Sequence, residues 1–135
     1  SKHHTLIALP LLITYILKNY GLKNAILFVF ISFCLFVATI LPYIYSEGFY
    51  QLIFNNPTQM LVFDSFFQIG QLKLYLPIFV SGVLYLRFVL YDKINRDLLY
   101  AFLSLLFATF IVLVNPAPGW YIWISPFIAI LFIFR

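Results

Sequence analysis

The sequence predicts an all-α integral membrane protein of about five transmembrane helices, the first and last short or truncated. Two further interfacial helices are expected in a long extracytoplasmic loop. Composition is the first reason. Hydrophobic residues make up 64% of the chain and charged residues 9%, with a mean hydropathy of +1.04. A soluble domain carries about 25% charged residues, so the charges here are too few to cover a water-facing surface. Continuity is the second. The apolar runs lack the alternation of barrel strands, and in a bilayer the other structure that satisfies its own backbone is a helix. The third is the placement of Lys and Arg, which gather in the short polar breaks between runs.

The same features exclude several function classes. The net charge of +4 comes from eight basic residues beside apolar spans, which reads as a topology signal and not as a nucleic-acid surface. The single cysteine, Cys34, allows no internal disulfide and no metal site, and is expected to be a small buried hydrophobe. The chain contains no Gly-rich phosphate loop, no Ser/His/Asp arrangement and no Cys/His cluster, so neither a cofactor nor a metal is expected.

Five apolar runs cover residues 6–17, 25–44, 74–90, 98–114 and 120–134. At about 1.5 Å per residue the second crosses a hydrocarbon core of about 30 Å, and the third and fourth do so once their interfacial ends are counted. The first and fifth reach roughly 18 and 22 Å. Both short runs lie at the chain ends, and the first residue is Ser1 with no signal-peptide layout. The expectation is one helical unit over 1–135, a fragment of a longer polytopic protein. The alternative is a genuine half-length first helix carrying Pro10.

Orientation follows from the short loops. Tyr20-Gly21 turns between runs one and two beside Lys18 and Lys23, and Arg87, Lys93 and Arg96 flank the break between runs three and four. With Arg135 these make six basic residues on one side against Lys2 and Lys73 on the other, which assigns the six to the cytoplasm. Residues 45–73 and 115–119 are then extracytoplasmic. The 45–73 loop is too long and too rich in aromatics for a structureless connection. Ser46 is placed to cap one short helix with Glu47 in its first turn. Asn56 is placed to cap a second, with Pro57 at its first position and Gln59 three residues after the cap. In that second helix Met60, Phe63 and Phe67 would share an apolar face, away from Asp64, Gln68 and Gln71. Asn115-Pro116-Ala117-Pro118-Gly119 makes the other outer turn, followed by Trp120, Tyr121 and Trp123 at headgroup depth. Pro126 then perturbs the last helix, on which Trp120, Trp123 and Phe127 line up as one stripe.

Four segments taken in order carry a resemblance. They are "KHHTLIALPLL", "LPYIYSEGF", "FNNPTQMLVFD" and "PAPGWYIWISPF". In that order they resemble the C-terminal transmembrane half of a polytopic glycosyltransferase of the GT-C type. The resemblance implies a bacterial or archaeal plasma membrane, an outward-facing site and a polyprenyl-phosphate-linked sugar donor. The family's catalytic carboxylate sits in the first outer loop of the N-terminal half, which nothing here matches. No catalytic residue is carried over, and Glu47 and Asp64 are explained as helix-turn or water-facing residues. This chain would supply one wall of the cavity, beside membrane lipids and the remainder of the parent polypeptide. Lys2, His3, His4 and Lys73 lie at the depth of a lipid-linked phosphate. Asn56, Gln59, Trp120 and Trp123 would complete contacts to sugar or isoprenoid. The plainer reading makes Lys2 and Lys73 snorkelling cations, the histidines loop residues and the tryptophans interfacial anchors.

Two other functions compete. A noncatalytic membrane subunit or scaffold would use small hydroxyl residues such as Ser32, Thr39, Ser81 and Ser104 at helix contacts. A polysaccharide flippase or polymerase needs intramembrane charges, and Arg87, with Asp92 as a nearby partner, is the one base inside a run. The basic asymmetry carries its own test. Membrane-impermeant thiol labelling from outside is expected to modify single cysteines at positions 56 and 118 and to spare positions 23 and 93. The reverse pattern would refute the orientation.

Overall fold

The computed structural model describes residues 6–51, 55, 57, 61–114 and 121–133. The helices are α1 (Leu9–Tyr20), α2 (Leu22–Ile40), α3 (Glu47–Phe49), α4 (Leu61–Asp64), α5 (Leu76–Val89), α6 (Arg96–Leu113) and α7 (Tyr121–Ile133), with strands β1 (Phe66–Ile69) and β2 (Leu72–Tyr75) between α4 and α5. The predicted helical runs are therefore present as helices. Two of them, Leu22–Tyr43 and Arg96–Leu113, are long and apolar enough to cross a membrane.

Local chemistry sets the boundaries. Pro10 sits in the first turn of α1 and Pro77 in the first turn of α5, where a missing N–H leaves no helical bond unmade. A single residue, Gly21, joins α1 to α2. Its φ of 86° is open to glycine at little cost, and its N–H closes α1 on the Leu17 carbonyl at 3.2 Å. At the far end of α2, Pro42 tightens the chain into a 3-10 turn over Leu41–Tyr43.

Helix α6 is the hub, packed against α1, α5 and α7. Leu99, Phe102, Leu103, Leu106, Phe107 and Phe110 recur at three- and four-residue intervals and are all buried, continuing to Val114. They meet Ala8 and Leu11 near α1, Phe88 from α5 and Ile94 from the α5–α6 connection. Ring contacts fix the fit. Phe88 lies 5.0 Å from Phe102, and Phe127 of α7 stacks on Phe107 at 5.5 Å. Ser81 and Ser104 are buried in these contacts, and each hydroxyl donates to a carbonyl of its own helix, Pro77 at 2.6 Å and Tyr100 at 2.8 Å. Tyr85 ties α5 to the start of α1 by donating to the Ile7 carbonyl at 2.6 Å.

Helix α2 behaves differently. It packs against α1, and its less exposed positions, Ala25, Phe28 and Ser32, form one stripe. Only 6% of its most apolar window is buried, and Phe30, Phe33 and Leu35 are each more than 60% exposed. Cys34 is exposed with them, which corrects the expectation of a buried thiol. The reason is that α2 stands at the edge of the bundle and not within it.

The outer loop departs from the expected pair of helices. Ser46 does take the extended conformation of a cap, and its carbonyl accepts the Phe49 N–H at 3.1 Å. Its side chain makes no capping bond, and α3 is a single turn. The expected cap at Asn56 lies outside the described residues. The second expected helix stops at Asp64, and a β-hairpin follows with the register Phe66↔Tyr75, Phe67↔Leu74, Gln68↔Lys73 and Ile69↔Leu72. Phe67-Gln68-Ile69 and Leu72-Lys73-Leu74 alternate with a period of two around Gly70, whose φ is 62°. Positive φ at the first turn residue alone is the type II′ geometry that matches strand twist. Leu74 and Tyr75, read as the start of the third helical run, belong to β2 for the same reason.

Leu106, at 0% exposure in the hub, is expected to matter most. Leu106→Ala should cost about 2–5 kcal/mol in reversible unfolding. Val112→Ala, on the same helix but 80% exposed, should stay within about 0.5 kcal/mol.

Candidate functional site

Polar and aromatic groups collect at the two ends of the helix cluster, and the ends differ in kind. One end is formed by the C-termini of α1 and α5 and the N-termini of α2 and α6. A helix leaves its last carbonyls without intrahelical partners. At the end of α5 the Lys18 ammonium, from the last turn of α1, donates to the carbonyls of Val89 and Tyr91. Asn19 donates to the Ile94 carbonyl at 2.9 Å and to the Tyr15 carbonyl at 3.0 Å, holding the buried Ile94 in place. Arg96 opens α6 at this same end. Arg87 lies over the Tyr91 ring, 5.2 Å from its centre, so its neighbour is an aromatic face where the sequence suggested Asp92. Lys23 and Lys93 stand beside these groups in the first turn of α2 and in the α5–α6 connection. Five of the six basic residues grouped by sequence thus share one end; Arg135 lies outside the described residues.

The opposite end carries the hairpin. The Ser65 hydroxyl donates to the Leu113 carbonyl at the end of α6, and the Ser65 carbonyl accepts the Leu76 N–H at 3.0 Å. These two bonds fasten the base of the hairpin between α5 and α6. Its rings form a short series, with Phe63 5.4 Å from Tyr75 and Phe66 6.4 Å from Tyr75. The Lys73 ammonium lies over the Phe66 ring, 5.2 Å from its centre, and is solvent-exposed. This arrangement offers one cation and adjacent aromatic faces, which suit an anionic group and an apolar or sugar surface.

Of the residues singled out by sequence, Lys73 is placed at this end, although on a strand and not at the start of a helix. Trp123 falls on α7, four residues before the Phe127 ring that stacks on α6. Lys2, His3, His4, Asn56, Gln59 and Trp120 lie outside the described residues, as does the 115–119 turn. Glu47 and Asp64 are exposed. Among the described residues no group of three His, Cys, Asp or Glu side chains could hold a metal ion. Sequence reasoning did not bring Phe66 together with Tyr75 and Lys73, and missed the capping role of Lys18.

The lock at the basic end predicts a local effect. Lys18→Met removes both donations to the end of α5, and amide hydrogen exchange should then accelerate over residues 89–94 and stay unchanged at Leu106. Lys18→Arg, which keeps the charge and the donors, should restore most of the protection.

Comparison of the chain with known protein families, with curated proteins and with solved structures found no match.

Proposed function

We propose that the chain is an integral membrane unit in which α1, α2, α5, α6 and α7 cross the bilayer, with the basic end in the cytoplasm. We further propose that it forms the membrane part of a glycosyltransferase acting on a lipid-linked sugar at the opposite face. The observation that carries the membrane reading is α2. Apolar side chains cover nearly its whole circumference and are left open, which water penalises and acyl chains accommodate. Basic residues gathered at one end support the orientation. The shorter helices α1, α5 and α7 run to about 18–21 Å, and their polar ends, tilted neighbours and local thinning make up the remaining depth.

The transferase reading rests on the resemblance of the sequence, and the hairpin end supplies chemistry compatible with it. Sugar transfer from a lipid phosphate leaves negative charge on the departing phosphate, and a cation at the interface stabilises that charge. Lys73 would take this role, with Phe66 and Tyr75 offering ring faces to the sugar or the isoprenoid. The general base would come from the rest of the parent polypeptide. Burial of Ser81 and Ser104 with their hydroxyls turned onto their own helices favours a second reading, a noncatalytic scaffold, because it leaves the helix contacts free of reactive groups.

Two measurements separate these readings. The chain should remain in the membrane fraction after alkaline carbonate extraction; release into solution contradicts the membrane assignment. In the parent protein, reconstituted with a radiolabelled polyprenyl-phosphate sugar, Lys73→Gln should lower turnover several-fold with the amount of folded protein unchanged. Full activity of that variant leaves Lys73 a snorkelling cation and favours the scaffold.

A further inference from the structure

The hairpin is amphipathic in a way no helical reading of residues 66–75 provides. Cross-strand partners share a face, so the register puts Phe67, Leu74, Ile69 and Leu72 on one side. Phe66, Tyr75, Gln68 and Lys73 occupy the other. The second side is covered at its base, where Phe66 and Tyr75 contact each other and Phe63 packs on Tyr75. The first side is open. Phe67 is 60%, Ile69 63% and Leu72 77% exposed. A two-stranded hairpin is marginal in water and persists when a hydrophobic face is packed on something else.

Three constraints identify that covering surface. Tyr75 passes into Leu76 of α5 without a linker, and that helix also leaves Ile78, Phe79 and Val83 exposed. Both strands are edge strands, and unpaired edge N–H and C=O groups are not tolerated in the hydrocarbon region. The side opposite the apolar face presents Lys73 and Gln68, groups suited to phosphates and water. Resting on the membrane reading above, we infer that the hairpin lies in the headgroup layer of the outer leaflet. Phe67, Ile69, Leu72 and Leu74 face the acyl chains, and Gln68 and Lys73 face the phosphates. The hairpin then works as an interfacial float. Through the Ser65 bonds to Leu113 and Leu76 it fixes the depth of α5 and α6 together.

The test uses the full chain in phosphatidylcholine/phosphatidylglycerol vesicles, with Cys34→Ser removing the native thiol. Single cysteines (Phe67→Cys, Leu72→Cys, Gln68→Cys or Lys73→Cys) carry an NBD fluorophore, and Ile31→Cys on α2 serves as the control. All five positions are exposed, which leaves room for the label. Quenching is read with aqueous iodide and with lipids bearing a nitroxide at a shallow acyl position. Positions 67 and 72 should show lipid quenching and several-fold weaker iodide quenching than 68 and 73. Equal iodide quenching at all four, with position 31 in lipid, overturns the inference and leaves the membrane reading standing. Shielding of 67 and 72 from both quenchers also overturns it, since protein would then cover the face. Iodide quenching at position 31 removes both.

Discussion

The rest of the structure depends on the packing of α6 against three neighbouring helices. Its buried positions form a broad stripe, filled by Leu and Phe, that is wide enough to accept α1, α5 and α7 at once. Phe88 and Phe127 reach that stripe from different helices, so α5 and α7 both pack against α6. Both ends of the structure follow from this. The C-terminus of α5 is brought to Lys18, and the C-terminus of α6 is brought to Ser65.

Those end contacts solve a common problem. Carbonyls at a helix end need partners, and where water is scarce the partners must come from the protein. Here two distant side chains provide them, one basic and one a hydroxyl. Under the proposed membrane setting the difference matters. The lysine end gathers the basic residues that fix orientation, while at the hairpin end the group that meets the helix carbonyl is a neutral hydroxyl. Among the described residues helix α2 packs chiefly against α1, and most of its apolar side chains are exposed.

Much of the helical skeleton was legible in the sequence, for identifiable reasons. Runs 25–44 and 98–114 became α2 and α6 because unbroken apolarity over such lengths admits little else, and Gly21 marked the turn. The outer loop was harder. Met60, Phe63 and Phe67 fit a helical interval, yet Phe67, Ile69, Leu72 and Leu74 fit a strand interval around Gly70 equally well, and the strand pattern prevailed. Lys73 was recognised as an outer cation, but its partner Phe66 was not, because their proximity exists only once the two strands pair. The capping by Lys18 was out of reach of sequence reading, since Val89 lies 71 residues away. Lys2, His3, His4, Asn56, Gln59 and Trp120 lie outside the described residues.

The central claim is that α2 meets lipid nearly all round its circumference. Spin labels placed one at a time along positions 26–37 in reconstituted vesicles measure it most directly, by comparing collision with oxygen, which enters acyl chains, and with a water-soluble nickel chelate. High oxygen and low nickel accessibility are expected at successive positions, dipping at 28 and 32 where the helix leans towards α1. Strong nickel accessibility along the helix would contradict the claim. So would a deep helical period in oxygen accessibility with its minimum on the face of Phe30 and Phe33, because a protein surface would then cover the side assigned to lipid.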